Sequence, residues 1–207
     1  MASTIIHLAI AKKVKEKLEV KNPRDYYLGS IAPDISRQIG LNREESHFLV
    51  NSKDDIPNLS LFVKRYPFFQ YNSFNLGYFT HLYTDKVWRE EFLPSFVKED
   101  SIQLLDGSTL KANLEEINNM IYSDYTNLNT KIIDEYALDL SLFYDDFVLP
   151  DTSIQEVPID KLDILLNKIS IIMENSKSQK TYTLHFNSIK KFIDETAEKI
   201  IEEVKKY

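Results

Sequence analysis

Apolar residues recur along most of the chain at intervals of three to four positions, which is the spacing of one helix face. The first apolar stripe consists of Ile6, Ile10, Val14 and Leu18. With Ser3 as an N-cap residue, this stripe predicts an amphipathic helix over residues 3–19. Sustained alternation with a period of two, which is typical of a half-buried strand, does not occur. The pattern therefore predicts an all-α fold, a multi-helix bundle.

The same periodicity returns further along the chain. It predicts helical segments over 26–30, 58–66, 72–92, 111–126, 130–143, 159–173 and 184–205. Pro33 ends the second segment because proline lacks a backbone donor, and the polar stretch 40–56 is expected to be a loop. Asn127 to Asn129 is expected to separate two helices. No internal repeat or low-complexity linker divides the chain, so a single domain over residues 1–207 is predicted.

Composition and charge narrow the possible functions. A net charge of −7 argues against a nucleic-acid-binding surface, because such a surface needs clustered positive charge. The apolar run 4–11 is too short for a signal peptide core, and lysines follow it instead of preceding it. No apolar stretch approaches the length that spans a bilayer, so a cytoplasmic protein without a transmembrane segment is expected. Because the chain has no cysteine, any metal must be held by nitrogen and oxygen ligands.

Three of the four histidines lie in the first half of the chain, together with two aspartates in suggestive positions. These residues are His7, Asp34, His47, His81 and Asp85. His81 and Asp85 are four residues apart on one predicted helix, so both side chains point the same way. Histidine and aspartate together bind zinc and similar divalent ions. The set predicts a metal centre.

Each of these residues also has an ordinary alternative when it is taken alone. His7 could be a half-buried helix side chain with satisfied nitrogens, and Asp34 could cap the turn that follows Pro33. His47 could be an exposed loop histidine. His81 and Asp85 could form a hydrogen-bonded pair on a helix surface.

Two further residues bear on this choice. Gly77 lies one turn before His81, and glycine in a helix interior indicates close approach of another backbone or of a ligand. This favours a crowded inner face over an exposed helix surface. The fourth histidine, His185, lies near a predicted helix start and is interpreted as structural or solvated.

Four motifs carry a family resemblance when they are taken in order. They are His-Leu-Ala at 7–9, Tyr-Leu-Gly-Ser-Ile-Ala-Pro-Asp at 27–34, Ser-His-Phe at 46–48 and Leu-Gly-Tyr-Phe-Thr-His-Leu-Tyr-Thr-Asp at 76–85. They resemble the zinc-dependent phospholipase C family, which is similar in turn to the P1-type nucleases. The resemblance covers residues 3 to about 92. It implies an all-helical fold with a three-zinc centre that cleaves phosphodiesters.

The resemblance also implies ligand roles. Asp34, His47, His81 and Asp85 match positions around one zinc, and His7 matches a ligand to a second zinc that shares Asp85. Secreted members of the family use a processed N-terminal residue as a further ligand, whereas this chain begins Met1-Ala2-Ser3, which leaves the His7 site incomplete.

The family's third zinc site has no counterpart in the histidine pattern of this chain. Family members carry a further histidine and a His-x-x-x-Glu pair downstream, but no histidine occurs here between His81 and His185. Five acidic residues are weak candidates to replace them: Glu90, Glu91, Glu115, Glu116 and Asp124. A reduced member that binds one or two zinc ions, or other divalent metals, is therefore expected.

The expected activity is that of a metal-dependent phosphoric-ester hydrolase, phospholipase C-like, which cleaves phosphodiesters with metal-activated water. Asp34 is the candidate catalytic residue that orients or deprotonates the water. The expected substrate is a phospholipid head group, a nucleotide or another small phosphoester. The alternative is a non-catalytic helical scaffold or binding module that a metal stabilises.

Overall fold

The computed structural model describes residues 1–50, 56–139, 141, 147–174 and 181–207, and helices dominate there. The α-helices are α1 (Thr4–Lys15), α2 (Pro23–Gly29), α3 (Ile35–Gln38), α4 (Arg43–Ser46), α5 (Leu59–Arg65), α6 (Ser73–Val87), α7 (Leu114–Glu135), α8 (Asp163–Glu174) and α9 (Phe186–Val204). Single 3₁₀ turns lie at Ala32–Asp34, Phe69–Tyr71, Leu93–Ser95 and Ile159–Lys161, and a π-turn at Trp88–Phe92 extends α6. The mostly helical fold that the periodicity predicted is confirmed.

A small antiparallel sheet follows α6, and the all-α prediction did not include it. Its strands are β1 (Val97–Lys98), β2 (Ser101–Gln103) and β3 (Thr109–Lys111), in the order β1-β2-β3. In register, Val97 pairs with Ile102, and Ile102 pairs with Leu110. Strands of two or three residues are too short to produce a readable alternation of apolar and polar positions.

Helix α1 is the central helix of the core. The Ser3 side chain accepts a hydrogen bond from the Ile6 amide, as the N-cap prediction requires. Every residue from Ile5 to Ala11 is buried, so this part of the helix is enclosed on all sides. The prediction of an amphipathic helix is wrong for this part. Helices α6, α7 and α9 all pack against it. His7 is consequently placed inside the core.

Helices α2 and α6 pack backbone against backbone, because each contributes a glycine to the crossing. A Cβ atom on Gly77 would lie 2.0 Å from the Tyr26 carbonyl oxygen, and one on Gly29 would lie 2.1 Å from the Phe74 carbonyl oxygen. The close approach predicted from Gly77 is confirmed, and the partner is the α2 backbone. The crossing brings the end of α2 next to the middle of α6.

The structure differs from the predicted order of helices and loops around α7 and around α4. Helix α7 runs without a break through Asn127 and Asn129, where two separate helices were predicted. Both asparagines are 5% exposed, so tertiary packing overrides their preference for turns. The remaining residues of the predicted segment 130–143 lie partly outside the described residues. The expected loop 40–56 contains the short helix α4, which the Asn42 side chain caps.

Asp124 ties the middle of α7 to the segment before α9. Its buried carboxylate accepts hydrogen bonds from the amides of Tyr182, Thr183 and Leu184 at 2.7–2.9 Å, and one from the Thr183 hydroxyl at 2.7 Å. These bonds satisfy three backbone donors, and the two from Thr183 and Leu184 are buried and would otherwise have no partner. Asp124 therefore has a structural role in place of the weak metal-ligand role considered for it.

We expect Asp124→Ala to lower the free energy of unfolding by about 3 kcal/mol, because buried amides lose their acceptor. Asp134→Ala on the same helix is a matched control, since Asp134 is exposed, and it should change stability by less than about 0.5 kcal/mol. Urea denaturation of both variants measures the difference. Equal stability of the two variants would contradict the structural role.

The buried apolar side chains form one cluster that includes residues of α1, α2, α6, α7, α8 and α9. The single-domain arrangement itself stays a prediction. Within the described ranges, no helix has both the length and the apolar character needed to cross a membrane.

Candidate metal centre

The five histidines and aspartates singled out in the sequence lie together in the structure. His7 comes from α1, Asp34 ends the 3₁₀ turn before α3, His47 directly follows α4, and His81 and Asp85 lie on α6. The three histidines and Asp85 are at most 1% exposed, whereas the Asp34 side chain is 14% exposed. Four separate parts of the fold therefore bring their polar side chains to one buried place.

The distances between donor atoms are those of a shared coordination shell. His47 Nε2 lies 3.3 Å from His81 Nε2, 3.7 Å from Asp34 Oδ1 and 3.8 Å from Asp85 Oδ2. His81 Nε2 lies 3.6 Å from Asp85 Oδ2, and His7 Nε2 lies 3.4 Å from Asp85 Oδ1. Two donors bound at about 2.1 Å to one tetrahedral ion lie about 3.4 Å apart. Most of these separations exceed an ordinary hydrogen bond and match that ligand spacing.

Two groups of three donors could each hold an ion. His7, Asp34 and His81 form one group, and His47, His81 and Asp85 form the other. The second group lies within the set that the resemblance placed around one zinc. His81 belongs to both groups when the donors are grouped by distance. The resemblance instead implied that Asp85 is the ligand shared by two zinc ions.

Several buried polar atoms in the cluster lack a hydrogen-bond partner. They are both ring nitrogens of His7 and Oδ2 of Asp85. The His7 ring instead stacks on the His81 ring, with 3.9 Å between centroids and 7° between planes. Unpaired buried nitrogen and carboxylate atoms are costly in a folded protein. A divalent cation would satisfy them, so the donor set fits the zinc that the resemblance implied.

Backbone and hydroxyl groups orient the two remaining imidazoles. His81 Nδ1 donates to the Ser30 carbonyl at 2.9 Å, so the lone pair of a neutral ring lies on Nε2 and faces the cluster. The Ser46 hydroxyl donates to the Arg43 carbonyl at 3.3 Å and so accepts from His47 Nδ1, 2.9 Å away. These are the outer contacts that fix tautomers in metal centres. Both serines lie within motifs quoted above, Ser30 in the motif at 27–34 and Ser46 in the motif at 46–48, although neither was singled out as a site residue.

The environment sets the protonation of the cluster. Burial, with help from Arg43 and His81, lowers the pKa of His47 to about 4, and burial and His81 also lower the pKa of His7. Burial by itself would raise the pKa of Asp85, but the adjacent rings of His7 and His81 hold it well below its usual range. Neutral imidazoles beside an ionised carboxylate are the forms that bind a cation.

The other two members of the cluster have pKa values shifted in opposite directions. Burial opposes ionisation of Asp34, but His47 and His81 outweigh it and lower the pKa of this carboxyl. Burial lowers the pKa of His81, but the negative charges of Asp85 and Asp34 raise it by more, so its net shift is upward. The two carboxylates are therefore ionised at neutral pH.

The first residues of the chain reach the cluster. The Ala2 amide donates to Asp85 Oδ1 at 3.2 Å, and the Tyr125 hydroxyl donates to the Met1 carbonyl at 2.6 Å. The N-terminal segment thus forms one wall of the centre. The nitrogen that contacts Asp85 is a peptide amide, which donates a hydrogen bond and does not ligate a cation as an amine would.

A cleft of about 310 Å³ leads from the surface to Asp34. We call it the cationic cleft, because its charged lining residues besides Asp34 are Arg37 and Lys168. Met1 to Ile5, Tyr122, Tyr125 and Asn129 also line it. The cluster is consequently buried but not sealed. No motif or periodicity in the sequence pointed to Lys168, which lies more than eighty positions after the last motif.

The acidic residues considered as replacement ligands have other partners. Glu90 pairs with Lys86, Glu91 pairs with Lys199, and Glu116 closes a capping box with Asn113. Glu115, in the first turn of α7, is exposed. In the described parts of the chain, no additional group of His and acidic side chains is close enough to hold a third ion. His185 is an exposed N-cap residue of α9, away from the cluster.

The helical fold and the buried cluster of imidazoles and carboxylates define a class of protein that could hold divalent metal through nitrogen and oxygen donors. Residues 6–88 match the family described as zinc dependent phospholipase C. This region is about two fifths of the chain and contains all five clustered residues. Over this region, the chain is similar to the zinc-dependent phospholipase C family. No curated protein and no solved structure matched the chain.

Proposed function

We propose that the protein is a metal-dependent phosphoric-ester hydrolase whose ions are held by the five clustered residues: His7, Asp34, His47, His81 and Asp85. The observation that carries this proposal is the donor spacing of 3.3–3.8 Å around a cluster that opens into a cleft. The match of residues 6–88 to the zinc dependent phospholipase C family supports zinc as the metal and a phosphoester as the substrate.

A bound divalent ion supplies a Lewis acid for a phosphoryl oxygen and makes water nucleophilic near neutral pH. The protein's own residues then divide the remaining tasks. Asp34 is the clustered carboxylate that also lines the cleft, so it is positioned to orient or deprotonate an entering water. His7 and Asp85 lie deeper, where they hold the ion and exclude bulk water.

The alternative, a scaffold that a metal stabilises, predicts a closed shell of protein ligands. The cleft at Asp34 favours the hydrolase, because an accessible ligand leaves room for water and substrate oxygen. The effect of chelation on melting temperature and on turnover separates the scaffold from the hydrolase. A scaffold would lose melting temperature on chelation and show no turnover.

The test measures metal content and hydrolysis of bis-p-nitrophenyl phosphate, phosphatidylcholine and single-stranded nucleic acid, before and after chelation. We expect at least one bound ion per chain, turnover of a phosphoester, loss of turnover on chelation and recovery with zinc. Metal-loaded protein that hydrolyses none of these substrates, and that melts at a much lower temperature after chelation, would overturn the hydrolase in favour of the scaffold.

A further inference from the structure

The cationic cleft holds two positive side chains that have only neutral partners. Arg37 donates to the Tyr122 hydroxyl at 2.7 Å, and its guanidinium lies 5.0 Å from the centre of the Tyr122 ring. Lys168 donates to Gln38 Oε1 at 2.7 Å. Neither forms an ion pair within the part of the chain that the structure describes, whereas Lys86, Lys190 and Lys199 all pair with glutamates. Among the described residues, no carboxylate pairs with either charge, so an anionic ligand would have two cations to bind.

The two cations also repel each other. The pKa of Lys168 is lowered because partial burial disfavours its charge and because Arg37 lies near it, with Asp34 opposing the shift. A protein that placed these side chains only for stability would gain by separating them or adding a carboxylate. A bound anion removes the repulsion, as expected for a site that recognises phosphate or carboxylate.

Charge balance distinguishes the kinds of substrate. Asp34 and Asp85 together carry two negative charges, which one divalent ion neutralises. Arg43, 3.8 Å from Asp85 Oδ2, adds a further positive charge beside the ion. The scissile phosphodiester then brings one negative charge to a cleft with two cations, so one cation is left over. A head group with a second anionic group would interact with both cations.

The cleft is poorly suited to a positively charged head group. Quaternary ammonium groups bind on open aromatic faces or beside carboxylates. Here Arg37 already occupies one face of Tyr122, and it would repel a second cation. Asn129 also lines the cleft, is 5% exposed, and has an Oδ1 without a hydrogen-bond partner, so it can accept from a ligand hydroxyl.

We propose that Arg37 and Lys168 select phosphodiesters whose head group carries a second anionic group, such as a phosphate, and that they disfavour zwitterionic head groups. This inference rests on the proposed hydrolase function, because it assigns the substrate class of that site. Arg37 and Lys168 are specificity residues in this assignment. They bind the part of the substrate that does not react.

The test compares two short-chain lipids that differ by one phosphate, dihexanoyl phosphatidylinositol 4-phosphate and dihexanoyl phosphatidylinositol, with dihexanoyl phosphatidylcholine as the zwitterionic control. We expect kcat/KM to be about tenfold higher for the phosphorylated lipid, mainly through KM, as for one added charge-assisted hydrogen bond. Arg37→Gln and Lys168→Gln should each remove most of that preference. Lys111→Gln, an exposed cation on β3, should retain it.

A second measurement needs no turnover. Calorimetry compares binding of inositol 1,4-bisphosphate and inositol 1-phosphate to the metal-loaded protein and to the same variants. Measurable hydrolysis without preference for the phosphorylated lipid overturns the inference and leaves the hydrolase intact. If no phosphoester is hydrolysed, the proposed function is overturned, and calorimetry alone tests the inference about the cleft. Tighter binding of the bisphosphate that both variants lose supports the inference. Equal binding of the two inositol phosphates overturns it.

Discussion

Replacing His81 with alanine is expected to lower phosphoester hydrolysis by at least about a hundredfold and to abolish tight zinc binding. His81 belongs to both groups of donors, and its Nε2 lies within 3.6 Å of donors from His47 and Asp85. Its loss also leaves the His7 ring without its stacking partner. Metal analysis and steady-state hydrolysis on the same preparation measure both effects.

The matched control for this prediction is His185→Ala, which removes an exposed histidine outside the cluster and should leave metal content and turnover unchanged. Asp85→Asn is a second probe, because it keeps the side-chain shape while removing a negative charge. Wild-type metal content and turnover in His81→Ala would show that the cluster is not the metal centre.

Gly77→Ala is expected to destabilise the fold by about 3–5 kcal/mol, which corresponds to a loss of about 10 °C in Tm. The new Cβ atom would lie 2.0 Å from the Tyr26 carbonyl oxygen and 2.8 Å from the Ser30 amide nitrogen. Both neighbours are backbone atoms, so helices α2 and α6 must move apart. The movement also pulls the Ser30 carbonyl away from His81, and zinc affinity should fall. Thermal denaturation and zinc titration measure the two effects.

Gly107→Ala is the control, because a glycine in an open turn at φ +86° can accept a Cβ atom without a clash. Its backbone conformation makes the substitution cost about 1–2 kcal/mol, with no effect on zinc affinity. If Gly77→Ala proved as stable as Gly107→Ala and bound zinc equally well, the close helix crossing would not support the metal centre.

The sequence was sufficient to predict the features that depend on helical periodicity or on hydrogen bonds between neighbouring residues. Helical spacing located α1, α6 and α9, and the caps at Ser3 and Asn72 follow from local hydrogen bonds. The cluster could be predicted because histidine is rare in this chain and because the five residues lie within short motifs. The i, i+4 spacing of His81 and Asp85 already fixed their relative direction.

Other features depend on contacts between distant parts of the chain. Asn127 and Asn129 have turn propensity, yet burial keeps them inside α7. The tie from Asp124 to Thr183 joins residues 59 positions apart, and no periodicity records it. Arg37 and Lys168 lie in one cleft because α3 and α8 pack together, so their proximity is visible only in the folded chain.

The position of His81 in both donor groups limits the stoichiometry of the site. Its Nδ1 is committed to the Ser30 carbonyl, so the ring has one lone pair to offer. Two ions would compete for this lone pair, because it can bind only one of them at a time. We therefore expect a second ion to bind more weakly than the first, so that one cation dominates at low metal concentration.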